Sequence, residues 1–279
     1  MKRKYAWLVS LIALVIALPV RIYQQLMLVD ETTGFFTDHN VTAVVISVLL
    51  AIGAVYPAIA CRLDREAAVD TGFYRDIPTG ILTLITAVML VVDSLRKLME
   101  VTSGEEEALA AGMAAVAPHP LLYSLLAILG FAAAVILFIA GISWIWGVQL
   151  LRSAPVATLL PPLWCCMGLI VLFVKFTEVI NTTENVYQMF SVIFLLLFLS
   201  AQSKLLVGID GERNTRLVFA WGLPAVAVGL VTSVPNLVVP MLGLERYSDL
   251  WSDSLVLLCF SLSVLSYLAC LRKRLADAL

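Results

Sequence analysis

The chain has 279 residues, of which 61% are hydrophobic and 14% charged, and its mean hydropathy is +0.98. A soluble domain carries about 25% charged residues, so this composition excludes an ordinary soluble enzyme and a disordered chain. Five cysteines are too few for a disulfide-rich scaffold, and a net charge of -2 offers no basic surface for nucleic acid. The composition is typical of a polytopic membrane protein.

Eight segments are long and apolar enough to span a bilayer. About 30 Å of hydrocarbon requires roughly 20 apolar residues at 1.5 Å per residue. Since the runs are too long for strands and lack period-2 alternation, we predict an all-α, polytopic transmembrane helix bundle rather than a barrel. It forms a single integral membrane domain over residues 1–279, with these predicted spans: Tyr5–Met27, Val41–Cys61, Pro78–Leu98, Leu121–Leu151, Val156–Ile180, Val186–Val207, Leu217–Leu242 and Leu250–Leu271.

The placement of lysine and arginine predicts the orientation. The first apolar run follows Lys2, Arg3 and Lys4 and continues to Arg21 without a small-x-small cleavage site, so we expect a retained helix rather than a signal peptide. With the N-terminus inside, most of the 18 basic residues lie on the inner side, including the run 272–274. The positive-inside rule therefore predicts that both termini are cytoplasmic.

The sequence contains little that could perform acid–base or metal chemistry. Only two histidines are present, His39 and His119, and both lie in predicted outer loops. There is no HExxH motif, and the cysteines lie within apolar segments, where they are expected to pack as small hydrophobic residues. We predict no catalytic residue, no metal and no cofactor, and we rank a lipid-acting enzyme third among the functional hypotheses.

Polar side chains recur at the predicted outer ends of several helices. Spacings of three and four residues place those of one helix on a single face. An ionised side chain at this depth costs on the order of 2 kcal/mol or more unless it is paired or hydrated. We therefore predict that these residues form a binding site: Arg21, Gln24, Gln25, Asp93, Arg96, Lys97, Lys175, Glu178, Gln188 and Asn236.

Two interpretations of this outer cluster compete. In the first, it has no ligand: Asp93 pairs with Lys97, Lys175 pairs with Glu178, and the arginines extend towards the headgroups. In the second, the faces converge on an outward-open cavity. There the cations Arg21, Arg96 and Lys175 bind an anionic or zwitterionic solute, and the amides of Gln24, Gln25, Gln188 and Asn236 orient it.

One stretch of the chain carries a resemblance. Residues Thr182 to Phe190 read TTENVYQMF and continue through a leucine-rich run to Gly208. The stretch resembles a segment of uncharacterised polytopic membrane proteins from anaerobic Gram-positive bacteria. The resemblance implies a bacterial cytoplasmic (plasma) membrane and carries no known activity with it.

The leading functional hypothesis is an integral membrane protein that binds or transports a small anionic or zwitterionic solute at the outer cluster. The alternative is a non-enzymatic membrane sensor, scaffold or subunit, in which the polar faces bind helices of partner subunits. The lipid bilayer is a partner under both hypotheses, and nucleic acid is a partner under neither.

Overall fold

The computed structural model describes residues 2–28, 37, 41–62, 75–110, 120–178, 183–242 and 251–277. Within these ranges the chain is helical and contains no strand, which confirms the predicted all-α bundle. Eight helices are long and apolar enough to cross a membrane. Their bounds are α1 Lys2–Met27, α2 Val41–Arg62, α3 Ile77–Ala110, α4 Pro120–Trp146, α5 Leu160–Glu178, α6 Thr183–Val207, α7 Gly211–Met241 and α8 Trp251–Asp277.

The largest difference from the predicted bounds is at the end of α3. The predicted third span ends at Leu98, but α3 continues through Ser103 to Ala110. The Ser103 hydroxyl donates to the carbonyl of Met99, four residues earlier, at 2.9 Å. A serine bonded in this way lies inside a helix, so α3 is longer than its predicted span.

Two short 3-10 turns, Leu150–Ser153 and Ala157–Leu159, connect α4 to α5. They replace the end of the predicted fourth span and the start of the fifth. Hydrogen bonds fasten this connection to α6: Gln149 Nε2 donates to the carbonyl of Leu206 at 2.8 Å, and Ser203 Oγ donates to the carbonyl of Thr158 at 2.6 Å. The connection therefore closes the bundle at the end where α4 and α6 stop, the inner end in the predicted orientation.

Helix α7 is the most enclosed of the eight. In its most apolar window 83% of residues are buried, against 28% in α5 and at most 50% in the other helices. It packs against α1, α2, α6 and α8. A helix surrounded in this way has apolar residues on all its faces, which explains why α7 shows no polar stripe facing away from its neighbours.

Six of the helices form a ring. Each of α3 to α7 packs on the helix that follows it, and α8 packs back on α3. Helices α1 and α2 pack against each other and on α7, outside this ring. The arrangement leaves an interior between α3, α4, α5, α6 and α8, and the candidate site lies there.

The contact between α3 and α4 provides a stability test. A Cβ added at Gly80 would lie 2.8 Å from the backbone carbonyl oxygen of Gly141, whereas a Cβ at Gly168 would meet nothing closer than 3.9 Å. We expect Gly80→Ala to lower the free energy of unfolding by about 1 to 3 kcal/mol because the helices must separate. Gly168→Ala should be neutral or stabilising by up to about 1 kcal/mol. Equal melting temperatures of the two variants in detergent would contradict this close packing of α3 on α4.

Candidate functional site

A cavity of about 130 Å³ lies inside the ring, near the ends of α3 and α5 and the starts of α6 and α8. This is the outer end of the bundle in the predicted orientation. Five of the residues predicted for the site line it: Asp93, Arg96, Lys97, Lys175 and Gln188. The lining also includes Glu100, Asp253 and a set of apolar and aromatic residues from α4, α5, α6 and α8.

A buried ion-pair triad forms one wall. The Lys97 ammonium donates to Asp93 Oδ2 on its own helix and, at 2.8 Å, to Asp253 Oδ1 at the start of α8. The side chains are 13% exposed for Lys97, 2% for Asp93 and 28% for Asp253. The i, i+4 spacing predicts the first pair, and the second joins α3 to α8 across the ring. The triad therefore fixes the position of these two helices at the charged end of the cavity.

Arg96 lies at the rim beside the triad. Its Nε donates to Glu100 Oε1 at 2.6 Å, and the two side chains are 41% and 47% exposed. Exposure of these rim groups shows that the charged end of the cavity opens to the outside of the bundle. Arg96 thus pairs with a carboxylate one turn along α3 and remains within reach of the cavity.

Lys175 and Gln188 face the cavity from α5 and α6. Within the described residues the Lys175 ammonium forms no hydrogen bond and no direct ion pair, but it is attracted to the Asp253 carboxylate. The Gln188 amide forms no hydrogen bond to a described residue. Both side chains are partly buried. A cation and an amide that face a cavity without direct hydrogen bonds to the protein are available to a bound solute.

The opposite wall is apolar and aromatic. The rings of Trp164 on α5 and Phe260 on α8 stack with centroids 5.5 Å apart and planes inclined by 18°. Leu126 of α4 and Val256 and Leu257 of α8 complete this wall. The cavity is therefore amphiphilic, with charged groups at its open end and an aromatic pair at its depth.

The structure bears on both interpretations of the outer cluster. The Asp93–Lys97 pair of the first interpretation is present. The Lys175–Glu178 pair cannot be placed, because the side chain of Glu178 lies outside the described residues. Arg21 does not extend towards the headgroups, since it is only 2% exposed.

Arg21, Gln24, Gln25 and Asn236 do not line the cavity. They form a separate buried network between α1, α6 and α7. Arg21 Nη1 donates to Gln24 Oε1, and its guanidinium lies 5.0 Å from the ring centroid of Tyr187. Gln25 Nε2 donates to Asn236 Oδ1 at 3.0 Å. Their contacts with one another and with neighbouring helices explain why these four polar residues are buried. Their role as solute ligands stays a prediction.

This network predicts a stability defect for Arg21→Ala. Within the described residues, Arg21 provides the only hydrogen bond to the fully buried amide of Gln24. We expect the free energy of unfolding to fall by about 2 to 4 kcal/mol, from an unsatisfied buried amide and a lost cation–π contact. The matched control is Arg62→Ala, which removes an exposed arginine lying 4.6 Å from the ring centroid of Trp221 and should cost about 0.5 to 1 kcal/mol. Equal melting temperatures for the two variants would contradict the assignment.

Sequence reasoning missed Asp253, Glu100, Trp164 and Phe260. Asp253 had a usable signal, because it is an acidic residue in the first turn of a spanning helix. The two aromatic residues had none, since an aromatic side chain in an apolar span has the same pattern whether it faces lipid or a cavity.

In the described part of the chain, no three His, Cys, Asp or Glu residues come close enough together to hold a metal ion. His39 and His119 lie outside the described residues. Among known proteins, no family model, no curated sequence and no solved structure matches this chain.

Proposed function

We propose that this integral membrane protein binds a small zwitterionic or anionic solute with an apolar side in the cavity lined by Lys175, Gln188, Trp164 and Phe260. The observation that supports the proposal is the Lys175 ammonium, which lines the cavity together with Asp253, to which it is attracted, and forms no direct ion pair to a described residue. Ionisable groups inside a membrane are costly, and those that face a cavity mark solute pathways in membrane proteins.

The charges of the cavity define the head group of the solute. A carboxylate fits Lys175, with Gln188 as a further hydrogen-bond donor. Asp253 Oδ1 is used by Lys97, and its second oxygen accepts no hydrogen bond from the described residues. Asp253 lines the same cavity, so we propose that this carboxylate binds the ammonium group of a zwitterion.

The size and the apolar wall define the rest of the solute. A cavity of about 150 Å³ in a soluble protein accommodates benzene, so 130 Å³ limits the buried part to one ring or a branched aliphatic chain. The stacked pair of Trp164 and Phe260 offers a face for such a group. An α-amino acid with an apolar side chain, or an aryl carboxylate, combines the required features.

The proposed side of entry follows from the predicted orientation. With the N-terminus cytoplasmic, the ends of α3 and α5 face outwards, so the solute enters from outside the cell. We also propose the bacterial cytoplasmic membrane as the location, on the basis of the resemblance of residues 182–208.

A thermal-shift panel on the purified protein tests the proposal. L-phenylalanine and phenylacetate present the carboxylate and the ring, phenethylamine presents the ring with the opposite charge, and glycine presents the zwitterion alone. A solute at 100 times its Kd stabilises a protein by about 2.7 kcal/mol. We expect phenylalanine or phenylacetate to raise the melting temperature and phenethylamine and glycine to leave it unchanged.

The opposite pattern contradicts the proposal. A shift with phenethylamine alone would assign the cavity to cations. No shift with any of the four solutes, in a protein that unfolds cooperatively, would favour the sensor, scaffold or subunit hypothesis, and the search would then turn to membrane partners.

A further inference from the structure

We infer that a second cavity, deeper in the same ring, is the inner half of a solute path through the protein, and that the Phe260 ring is the gate between the two halves. The inference rests on the proposed function and extends it from binding to passage across the membrane. The second cavity has a volume of about 30 Å³, which is the space of one water molecule. It lies between α3, α4, α5, α6 and α8, the same helices that line the outer cavity.

Phe260 lines both cavities and is 2% exposed. On the outer side its ring stacks on Trp164, and on the inner side the lining continues with Phe198. The two linings come within three residues of each other on α5 and α6 and meet at Phe260 on α8, whereas they are ten residues apart on α3 and α4. The shortest connection between the cavities therefore runs past the Phe260 ring, and rotation of this ring is the movement that would join them.

The inner cavity is lined in part by polar side chains. Thr83 Oγ1 and Ser263 Oγ lie 3.1 Å apart across the contact between α3 and α8, and both residues line the cavity. The amide of Gln202 faces the cavity and forms no hydrogen bond within the described residues. Gln202 is only partly buried and lies near the end of α6, so its amide is available to water or to a solute that enters from that end.

The inner cavity has its own closure towards the inner end. The turns between α4 and α5 supply Leu151 and Thr158 to its lining, and Ser203 bonds to the carbonyl of Thr158. This connection ends at α5, which has the smallest buried share of the eight helices and carries both Lys175 and Trp164. A shift of α5 would move the solute-binding lysine, one ring of the aromatic pair and the inner closure together.

Thiol labelling tests the path without any knowledge of the solute. Gln188→Cys reports the outer cavity and Gln202→Cys the inner one, each in the full chain with its five native cysteines replaced by alanine. The probe is the impermeant cation methanethiosulfonate-ethyltrimethylammonium, applied from either side of oriented vesicles. We expect Gln188→Cys to react from the outer side and Gln202→Cys from the inner side. Leu262→Cys, on a lipid-facing position of α8, is the unreactive control.

The gate is tested by adding Phe260→Ala to Gln202→Cys. We expect the rate of labelling from the outer side to rise at least tenfold, and Phe260→Leu, which keeps most of the volume, to give a smaller rise. Thermal unfolding of each variant identifies any that fail to fold, and Phe260→Leu serves if Phe260→Ala does not fold. An inner cysteine that stays unreactive from both sides in folded protein would overturn the path. Since labelling uses no solute, this result is independent of the binding panel.

Discussion

Replacing Lys97 by methionine is expected to lower the free energy of unfolding by about 3 to 5 kcal/mol, the cost of removing the cation from a buried ion-pair triad. Lys97 binds two carboxylates, and Asp93 is almost completely buried. Without the ammonium, two acidic groups face each other at the junction of α3 and α8. The double variant Asp93→Leu with Lys97→Met removes both buried charges of α3, so we expect it to recover more than half of the loss.

The control for Lys97 lies on the next turn of the same helix. Glu100→Gln breaks the exposed ion pair with Arg96, and exposed pairs contribute at most about 1 kcal/mol. Equilibrium unfolding in mixed detergent micelles compares the variants directly. If Lys97→Met and Glu100→Gln lose the same stability, the triad does not hold α3 to α8 in the way that the structure indicates.

Replacing Lys175 by glutamine is expected to weaken solute binding without loss of stability. A hydrogen bond to a charged group contributes about 1.5 to 3 kcal/mol, which corresponds to a Kd roughly ten- to 150-fold higher. Lys175 forms no direct ion pair among the described residues, and Asp253, to which it is attracted, keeps its ion pair with Lys97. The substitution therefore reduces the free energy of solute binding. Isothermal titration calorimetry with the solute identified by the thermal-shift panel measures this reduction.

Lys204→Gln is the matched control for Lys175→Gln. Lys204 is exposed in the last turn of α6, at the opposite end of the bundle. We expect its titration to be indistinguishable from that of the wild type. A Kd that is unchanged in Lys175→Gln would place the binding site away from this lysine and contradict the proposed arrangement.

The spans could be predicted from the sequence because length and hydropathy alone determine which segments cross a bilayer. Their ends could not, because they depend on local bonds. The hydroxyl of Ser103 bonds back into α3 and lets the helix continue. At the start of α7, Asp210 adopts a left-handed conformation with φ of 41°, and the helix begins at Gly211, six residues before the first residue of the predicted apolar run.

The candidate site could be predicted only in part, because helical spacing describes one helix at a time. The i, i+3 and i, i+4 rule correctly groups Asp93, Arg96 and Lys97 on one face, and all three line the cavity. It cannot show which helices are neighbours. Arg21 and Lys175 lie near the same end of their helices, but α1 packs on α2 and α7, whereas α5 packs on α4 and α6. The two cations therefore belong to different environments.

Small residues in a helix have the same limit as a signal, because the sequence does not show which neighbouring helix contacts them. Gly130 and Ala134 match the small-xxx-small pattern of helix contacts, and both are buried. Only the structure shows that Ser94 of α3 fills the space above Gly130, where an added Cβ would lie 2.2 Å from its hydroxyl oxygen. The pattern predicts a close contact, and the fold determines its partner.

Protection of the Lys175 amine from chemical modification shows whether the solute binds beside this lysine. The protein is treated with formaldehyde and a reducing agent, with and without saturating phenylalanine or phenylacetate, and mass spectrometry follows methylation of each lysine. We expect the solute to slow the modification of Lys175 at least tenfold and to leave that of Lys204 unchanged. A solute that stabilises the protein while Lys175 is modified at its original rate would show that the solute binds elsewhere.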